Sequence, residues 1–555
     1  MSSSDSKLSI GIDFGTLSGR VLVLDLDGGE ELAAVEVPYA HGVIEQTLPD
    51  DDERLPPDWA LQHPLDYVDV VERGVPETLA RAGVDPARVI GIGVDFTSCT
   101  VLPTSADGTP LCMQERWRGR PHAWPKLWKH HAAQAQADRL TGLAQERDER
   151  FLARYGGRIS SEWYFPKLLQ IYEEDREVYD AAARFIEATD WIVWQLAGVE
   201  RRCSCAASYK AFWSPDSGLP PAAYFEAAAA GFAGAVAKLG SDFVPLGTSA
   251  GPLEAELAQR LGLRAGVAVA VGNVDSFVSV PGAGVERPGT LVTVVGTSIC
   301  DMVVHPEEIL LPGITGVVRD GILPGLYGYE SGQPAVGDML SWYVSTLLGT
   351  EADARSARHD ALERAAGELA PGASGLVALN WWNGNRSILA DAGLSGTIAG
   401  LTLASTQAEI YRALLESIAF AARRIIDNFT EHGLTIDQLL ACGGIAEKSP
   451  VLMQLFADIG GRPVQVPGST QIPARGAAMF GAVAAGASAG GFGDITVAAE
   501  RLRPATARSY IPGTEAHAIY NRVYEIYRGL HDTLGVQHAK WMHQLKRLRD
   551  HRMAA

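Results

Sequence analysis

The sequence predicts an α/β protein built from two domains. Its 555 residues exceed what one hydrophobic core usually organises. Short runs of β-branched and aliphatic residues alternate with segments that have the spacing of amphipathic helices, a pattern typical of the α/β class. Two strand–turn–strand patterns with a Gly-Thr pair at the turn lie about half a chain apart, at residues 8–26 and 290–304. We therefore expect two related domains, spanning residues 1–265 and 266–555.

The bulk composition excludes several classes of partner. The chain is 47% hydrophobic and 20% charged, with a formal net charge of −19. Binding to nucleic acid or to an anionic membrane requires a basic surface, so neither is an expected partner. No stretch of about 18 uninterrupted apolar residues occurs, and residues 1–7 lack the apolar region of a secretion signal.

The cysteines indicate a reducing compartment. The six cysteines are too sparse for a disulfide framework, and the Cys203-x-Cys205 pair has no second pair or nearby histidines to complete a zinc site. We expect reduced thiols and a cytoplasmic protein.

The first Gly-Thr hairpin places a carboxylate beside free backbone N–H groups. Two strands are predicted at 8–12 and 21–26, with Asp13 at the end of the first and Gly15-Thr16 in the turn. Such a tip can bind an anion, and the carboxylate can hold a cation beside it. The alternative is an ordinary hairpin whose Asp13 hydrogen-bonds its own turn.

The rest of the first half alternates strands and helices. We predict a third strand at 32–37, a loop at 49–58, a helix at 66–81, a strand at 89–94 that ends in Asp95, and mostly helix over 131–197. Within the last region the apolar segment 191–196 is expected to be buried, with Asp190 as the N-cap of its helix.

A second series of the same kind begins near Gly266. Residues 267–276, VAVAVGNVDS, predict the first strand of the second domain, ending in Asn273 and Asp275. The second hairpin follows at 290–304, with Gly296, Thr297 and Ser298 at its turn. Two such tips could hold a polyphosphate from both sides. The alternative is coincidence, because Gly-Thr is a common dipeptide.

A third element is a glycine pair after a buried-type strand. The segment LLACGGIAEKS, 439–449, ends its strand at Gly443-Gly444 and is followed by a predicted helix at 450–459. Two glycines let a flat ring approach the backbone, although a plain strand-to-helix turn is the alternative. The chain contains no Gly-Lys dipeptide and therefore no Walker loop, and residues 91–96 lack the third glycine of a dinucleotide fingerprint.

The carboxy-terminal stretch from 515 to 549 has helical periodicity and leads into the basic run KRLRDHR. The basic end is expected to complement the helix dipole or to meet solvent. A contact between two copies of the chain, in a homodimer, is the alternative.

The order of these parts resembles the superfamily of sugar kinases, actin and heat-shock ATPases, through DFGT (13–16), VGTS (295–298) and CGG (442–444). That resemblance implies two ribonuclease-H-like domains with ATP and Mg²⁺ in the cleft between them. Within the superfamily the chain resembles the FGGY carbohydrate kinases. Their carboxy-terminal signature is nearly complete over 396–416, whereas the other signature is poorly kept around 160–170, where Tyr164 replaces a small residue or proline.

Finer matches are to the bacterial members that phosphorylate L-ribulose. They run through nearly the whole chain: GVDFTSCT (93–100), LWKHHAA (127–133), YGGRISSEW (155–163), RRCSCAASYKAFW (201–213), GTSICD (296–301), YESGQPAVGD (329–338), NWWNGNR (380–386) and GGIAEKSPVLMQ (443–454). The resemblance implies ATP-dependent conversion of L-ribulose to L-ribulose 5-phosphate in arabinose breakdown.

The resemblance also implies roles for single residues. Asp275 corresponds to the catalytic base, which accepts the proton of the sugar hydroxyl; the alternative is a helix cap. Asp13 corresponds to the aspartate that positions Mg²⁺, through water. The implied nucleotide-binding residues are Gly15, Thr16, Gly296, Thr297, Ser298, Asn383, Gly443, Gly444 and Lys448, with Asn385 and Arg386 as weaker candidates on the nucleotide side.

The implied sugar-binding residues are the backbone near Phe96 and the side chains of Lys210, Asp275 and Glu330. A cationic donor and two carboxylate acceptors suit a ketopentose better than an apolar pocket would. Tyr209, Phe212 and Trp213 are expected to bury the stem of Lys210. The alternatives are a surface lysine at Lys210 and a structural turn carboxylate at Glu330. Trp128 and Trp163 are candidates for shaping the cleft, or are plain core residues.

Two other functions are compatible with these patterns. A sister FGGY kinase acting on D-ribulose, ribitol, xylulose or glycerol would differ only in how hydroxyl orientations are read, and assays across those polyols would separate them. A conformational ATPase like actin or the heat-shock chaperones would hydrolyse ATP without a sugar and would form filaments or capture peptides.

Overall fold

The computed structural model describes residues 6–49 and 52–553, with the backbone alone for 550–553. Part of the predicted loop at 49–58, the first residues of the amino terminus and the side chains at the end of the basic run lie outside the described residues. We refer to residues 6–274 as the N-terminal half and to 275–553 as the C-terminal half.

Within these ranges the strands are β1 (Leu8–Phe14), β2 (Ser18–Asp25), β3 (Glu31–Pro38), β4 (Val89–Phe96), β5 (Val101–Thr104), β6 (Arg184–Glu187), β7 (Arg202–Cys203), β8 (Phe243–Val244), β9 (Ser249–Pro252), β10 (Ala268–Ala270), β11 (Asn273–Val274), β12 (Gly289–Val295), β13 (Ile299–His305), β14 (Gly316–Arg319), β15 (Tyr327–Gln333), β16 (Val377–Leu379), β17 (Thr397–Ala399), β18 (Ile436–Cys442), β19 (Val464–Pro467) and β20 (Thr506–Tyr510).

The α-helices of the same ranges are α1 (Pro64–Asp69), α2 (Val75–Ala82), α3 (Gln134–Glu146), α4 (Tyr164–Glu174), α5 (Arg176–Ala181), α6 (Ala188–Ala197), α7 (Ser204–Lys210), α8 (Ala222–Ala228), α9 (Ala235–Leu239), α10 (Ala255–Leu261), α11 (Asp275–Gly282), α12 (Gly337–Trp342), α13 (Arg355–Gly367), α14 (Gln407–Glu431), α15 (Gly444–Lys448), α16 (Pro450–Gly460), α17 (Ile472–Ala485), α18 (Ile495–Arg501), α19 (Thr514–Asp532) and α20 (Ala539–Met553).

Two sheets with the same internal arrangement organise the molecule. The first has the order β3-β2-β1-β4-β10-β9, with β11 also paired to β4, and the second has the order β14-β15-β13-β12-β18-β19-β20. In each sheet an antiparallel three-stranded meander continues, through its first strand, into two parallel strands. The predicted α/β class and the repeated Gly-Thr hairpins are confirmed.

One strand pairs differently from its prediction. The segment at 267–276 is predicted to open the second domain, but Ala268 pairs with Gly91 and Asn273 with Asp95, so β10 and β11 extend the first sheet. Asp275 is therefore the first residue of α11 and not a strand end. A short buried strand has no exposed face that identifies its partner, so sheet membership depends on long-range pairing.

Asp190 also differs from its prediction as a helix cap. Helix α6 begins at Ala188 with Glu187 in the N-cap position, so Asp190 lies inside the first turn. Its Oδ1 instead accepts a hydrogen bond from the backbone N–H of Cys203 at 2.8 Å. The apolar segment that follows is buried as predicted, with Trp191 and Ile192 at 3% and 1% exposure.

Helix α17 joins the two halves because it packs directly on the first sheet. It contacts β1, β4 and β10 as well as α11. A Cβ added at Gly93 would lie 1.8 Å from the carbonyl oxygen of Ala477, and one added at Gly11 would lie 1.7 Å from that of Ala474. The strands therefore need glycine where the helix backbone crosses them.

The cysteines and helices agree with the general class of the protein. All six cysteines are free, and all but Cys300 are buried. Across the described ranges, the helices are all too short or too polar to traverse a lipid bilayer.

Candidate active site

Three carboxylates meet at one edge of the first sheet. Strands β1, β4 and β11 are parallel, and Asp13 pairs in register with Asp95, which pairs with Asn273. Asp275 follows β11 directly. Ligands of open α/β sheets bind at the carboxyl ends of parallel strands, so this edge is the candidate active site.

Burial weakens the acidity of all three carboxyls. Asp13 is 5% exposed, and burial raises its pKa although the Arg20 guanidinium, 3.5 Å from Oδ2, acts in the opposite direction. Asp95 is fully buried, and burial together with the charges of Asp13 and Asp275 holds its pKa well above the usual range. A side-chain hydrogen bond between the Asp13 and Asp95 carboxyls raises the pKa of Asp95 further and lowers that of Asp13.

Asp275 has the surroundings of a proton acceptor. Burial and the charge of Asp13 raise its pKa to about 7, while the backbone N–H of Ser276 and the charge of Lys210 lower it. The Ser276 N–H donates to Oδ1 at 2.6 Å. Val274 occupies the N-cap position of α11, so Asp275 is not its capping residue.

A buried ion pair joins the two halves next to Asp275. Lys210, the last residue of α7, donates from Nζ to Glu330 Oε2 at 2.9 Å, and both side chains are 8% exposed. Burial alone would lower the pKa of Lys210, but the Glu330 carboxylate raises it above the ordinary value. Lys210 is buried, so it is not the surface lysine of the alternative interpretation. Glu330 lies within strand β15, so it is not a turn carboxylate.

Of the aromatic residues predicted to bury the stem of Lys210, Tyr209 lies near its amino group, together with Phe277. Its Nζ lies 6.0 Å from the ring centre of Tyr209 and 5.9 Å from that of Phe277. Phe212 stacks instead on Phe165, at 5.4 Å, and Trp213 packs against Phe243.

A backbone hydrogen bond from the glycine closes each Gly-Thr hairpin, and the first turn is one residue longer than the second. In the first, Gly15 N donates to Ser18 O at 3.0 Å, and in the second Gly296 N donates to Ser298 O at 2.9 Å. Thr16 Oγ1 accepts a hydrogen bond from Trp128 Nε1 at 3.1 Å, which holds the first tip against the 127–133 segment.

The second tip is held from its own half of the chain. The backbone N–H of Val336 donates to Thr297 O at 2.8 Å, and that of Gly337 donates to Gly296 O at 3.2 Å. Gly337 needs to be glycine, since a Cβ there would lie 3.0 Å from the Gly296 carbonyl oxygen. Ser298 is half-buried and Thr297 is exposed.

Of the other predicted nucleotide residues, Asn383 lies between β16 and β17, and Gly443, Gly444 and Lys448 follow β18. Gly443 follows this strand with φ at 95°, a conformation that favours glycine, and a Cβ there would lie 2.7 Å from Val295 O. Gly444 and Lys448 begin and end the short helix α15 and are exposed, as is Asn383. The charge of Arg20 also acts on Glu447 in this helix, so β2 of the first hairpin and α15 are electrostatic neighbours.

The two weaker nucleotide candidates have other surroundings. Asn385 Oδ1 accepts from the backbone N–H of Leu389 at 2.9 Å, a local structural contact. Arg386 lies 3.3 Å from Glu162, and the charge of Glu330 also raises its pKa. Arg386 is therefore near Glu330, one of the predicted sugar-binding residues.

Phe96 and Trp163 are buried among other aromatic rings, and Trp128 is half-buried. Phe96 is 1% exposed and stacks on Phe14 at 4.9 Å, so only its backbone is available to a ligand. Trp163 is buried against Tyr155, whereas Trp128 is half-buried at the first hairpin.

Sequence reasoning missed two residues of this region. Asp95 ends a strand as Asp13 does, and that shared position was the available signal. Glu162 carried no local signal, because its partner Arg386 is 224 residues away along the chain.

The chain is similar to known proteins over nearly its whole length. Residues 291–485 match the FGGY family of carbohydrate kinases, C-terminal domain. The chain is 49% identical over 549 residues to a ribulokinase of Shouchella clausii, covering 98% of each chain. This chain belongs to the FGGY family of carbohydrate kinases. Membership decides against a conformational ATPase of the actin or chaperone type.

Other FGGY relatives extend the comparison. A ribulokinase of Mycolicibacterium smegmatis is 45% identical over 536 residues, covering 95% of this chain and 94% of its own. Among solved structures, a xylulose kinase from Rhodospirillum rubrum matches with a TM-score of 0.76 at 24% identity, covering 97% and 100% of the two chains. Plasmodium falciparum glycerol kinase with ADP matches at 0.76 and 15% identity over 95% and 98%. The structural matches show the shared actin-like ATPase fold.

Proposed function

We propose that this FGGY kinase transfers the γ-phosphoryl group of ATP to L-ribulose, forming L-ribulose 5-phosphate in L-arabinose breakdown. The observation that carries the proposal is the 49% identity to a ribulokinase across 98% of both chains. The buried Lys210–Glu330 pair beside Asp275 supports it, because a ketopentose needs both donors and acceptors.

The chemistry requires a base at the sugar hydroxyl. We assign this role to Asp275, whose ionised carboxylate accepts the hydroxyl proton as the oxygen attacks the γ-phosphorus and ADP leaves. Lys210 and Glu330 orient the sugar by donating to and accepting from its other oxygens. The backbone N–H groups of the two Gly-Thr hairpins donate to the phosphate oxygens, and Gly443-Gly444 line the adenosine site.

Mg²⁺ fits the carboxylate edge of the first sheet. Hard cations prefer oxygen ligands, and Mg²⁺ keeps several waters when one or two carboxylates bind it. Asp13 is the residue that would hold it, through water, with Asp95 beside it. When bound, the ion neutralises charge on the phosphates.

Three further features belong to the proposal. We propose that the boundary between the two domains lies between Val274 and Gly289, in the segment that contains α11, and not at residue 265. Free cysteines and the use of ATP suit the cytoplasm.

A homodimer is the proposed assembly, since Trp541, Leu545 and Leu548 of α20 are 48%, 62% and 65% exposed. Light scattering of the purified protein would detect it.

A substrate panel tests the assignment. Purified protein with Mg-ATP is assayed for ADP release with L-ribulose, D-ribulose, ribitol, D-xylulose and glycerol, and the phosphorylated carbon is identified by NMR. We expect the highest kcat/KM with L-ribulose and modification at carbon 5. A higher kcat/KM with another polyol would transfer the assignment to a sister kinase.

Replacing the proposed base tests the mechanism. Asp275→Asn should lower kcat by about 10²- to 10⁴-fold, the usual contribution of a general base, with little change in the KM for ATP. An undiminished rate would reject Asp275 as the base.

A further inference from the structure

One ion pair outside the assigned machinery spans the two halves of the chain. Arg386 Nη2 lies 3.3 Å from Glu162 Oε1, and the two side chains are 17% and 19% exposed. Glu162 precedes α4 in the N-terminal half, and Arg386 lies in the C-terminal half between β16 and β17. The pair is therefore largely shielded from water without being buried, so some surface of each group can still meet a ligand.

The surroundings of the pair connect it to the sugar residues. The charges of Glu162 and Glu330 act on Arg386, and the Cys300 side chain forms a hydrogen bond with it. The pKa of the Cys300 thiol in turn depends on the charges of Arg386, Glu330, Asp275 and Lys210. The charge of Glu162, like that of Glu330, raises the pKa of Lys210.

The loop that carries Arg386 is tied to the strand that carries Glu330. The backbone N–H of Gly332 in β15 donates to Ser387 Oγ at 3.2 Å. Cys300 pairs with Gly332 in the adjacent strand, and Met302 pairs with Glu330. Arg386 is thus fixed next to the Lys210–Glu330 pair by two neighbouring strands and one side-chain hydrogen bond.

We propose that Arg386 is a sugar-binding residue held in place by Glu162, and that it donates to an oxygen of the sugar other than the one that Asp275 deprotonates. This inference rests on the proposed function and deepens it. A guanidinium has five N–H donors in a fixed plane, so it can keep Glu162 and still offer donors to a ligand. A ketose presents a carbonyl and several hydroxyls, which are the acceptors such a group recognises.

Glu162 is a positioning residue in this arrangement. Its carboxylate fixes the plane of the guanidinium and ties the N-terminal half to the loop of the C-terminal half at the sugar. Loss of either partner should weaken sugar binding more than ATP binding, because Ser387, the neighbour of Arg386, is hydrogen-bonded to β15, the strand that carries Glu330.

Steady-state kinetics with each substrate varied in turn test the proposal. In Glu162→Gln the sugar KM should rise about tenfold, and in Arg386→Gln about 10- to 100-fold, as expected for lost charge-assisted hydrogen bonds. The ATP KM should stay within about twofold of the parent. Arg386→Lys, which keeps the charge but loses the planar fork, should give an intermediate sugar KM.

The double variant separates the two roles. If Glu162 acts only through Arg386, Glu162→Gln/Arg386→Gln should have the same sugar KM as Arg386→Gln alone. Multiplied effects would show that the two residues act independently and would overturn the proposal.

A second ion pair between the halves serves as the matched control. Arg154 Nε lies 2.7 Å from Glu308 Oε1, with side chains 24% and 30% exposed. Arg154→Gln should leave the sugar KM unchanged, with melting temperatures measured for every variant. An equal rise in Arg154→Gln would mean that any tie between the halves matters, and a rise confined to the ATP KM in Arg386→Gln would return Arg386 to the nucleotide side.

Failure of this inference is distinguishable from failure of the proposed function. Parent protein inactive on L-ribulose but active on another polyol would reject the proposed substrate, and the variants would then be measured with that polyol. Normal parent turnover of L-ribulose with unchanged sugar KM in both single variants would reject the inference alone.

Discussion

The carboxylates of the sheet edge share burial but differ in their partners. Asp13 has the Arg20 guanidinium 3.5 Å away, Asp275 accepts from the Ser276 N–H at 2.6 Å, and Asp95 faces the like charges of Asp13 and Asp275. The guanidinium and the N–H stabilise the charged forms of Asp13 and Asp275, whereas the like charges disfavour that of Asp95. Aspartate side chains at the ends of neighbouring strands can therefore supply both a cation site and a base.

The pH dependence of the reaction follows from Asp275. Its pKa is raised to about 7, and only its ionised form can accept a proton. As the pH falls below that value, kcat/KM for the sugar should drop about tenfold per pH unit. Initial rates across the acidic and neutral range measure this, and a flat profile below neutrality would contradict it.

Asp95 should reduce stability at neutral pH. Its folded-state pKa is raised well above the ordinary value of 3.8, so above that pH the folded protein either keeps a proton that the unfolded chain releases or bears a buried charge. This cost grows as the pH rises. Asp95→Asn removes this cost. The melting temperature of the variant minus that of the parent should therefore be larger near pH 8 than near pH 5.

The measurement is made without Mg²⁺ or nucleotide, so that no ligand alters the carboxyl. A difference between variant and parent that is the same at both pH values would show that Asp95 does not titrate abnormally in the folded protein.

At the scale of elements, helix α17 depends on glycines in the strands beneath it. The close approach at Gly93 leaves 1.8 Å between an added Cβ and the Ala477 carbonyl oxygen, less than any real contact. The helix would have to move away from β4, and with it the contacts to β1 and α11. Glycine at this crossing is a requirement of packing between elements and not of the strand itself.

Gly93→Ala should therefore lower the free energy of unfolding by about 3 kcal/mol, as overpacking of a tight contact does. The matched control is Gly142→Ala inside α3, where an added Cβ meets nothing within 4 Å. That change should stabilise by about 0.5–1 kcal/mol because alanine favours helix. Denaturant titration measures both, and an equal effect at the two sites would refute the packing argument.

At the scale of the molecule, two similar sheets are joined by α11 and α17 and by side chains that reach across. Lys210–Glu330 and Arg386–Glu162 both join the N-terminal to the C-terminal half. A sugar that contacts both halves should therefore favour their approach, as should a nucleotide held between the two hairpins.

Small-angle scattering measures this closure. The radius of gyration should decrease by about 1 Å when L-ribulose and a non-hydrolysable ATP analogue are added together, and less with either alone. Lys210→Met should diminish the response, because one tie between the halves is lost. An unchanged radius with both ligands present would contradict the idea that they bind between the halves.

Local features of this protein are determined by the sequence alone. The strands of both hairpins, the Gly-Thr turns, the helix after Gly443-Gly444 and the position of Asp13 depend on short apolar runs and turn residues within about ten positions. The predicted strands at 8–12 and 21–26 correspond to β1 and β2, and that at 32–37 to β3. The α/β class and the duplicated order follow from the same local signals.

Only the tertiary structure decided what depends on distant partners. The pairing of β10 and β11 with β4 and the raised pKa values of Asp95 and Asp275 depend on residues far apart in the chain, and Arg386 and Glu162 are 224 positions apart. No short window of sequence contains both partners of such a contact. Burial, which sets the protonation of the carboxylates, exists only after the chain has closed on itself.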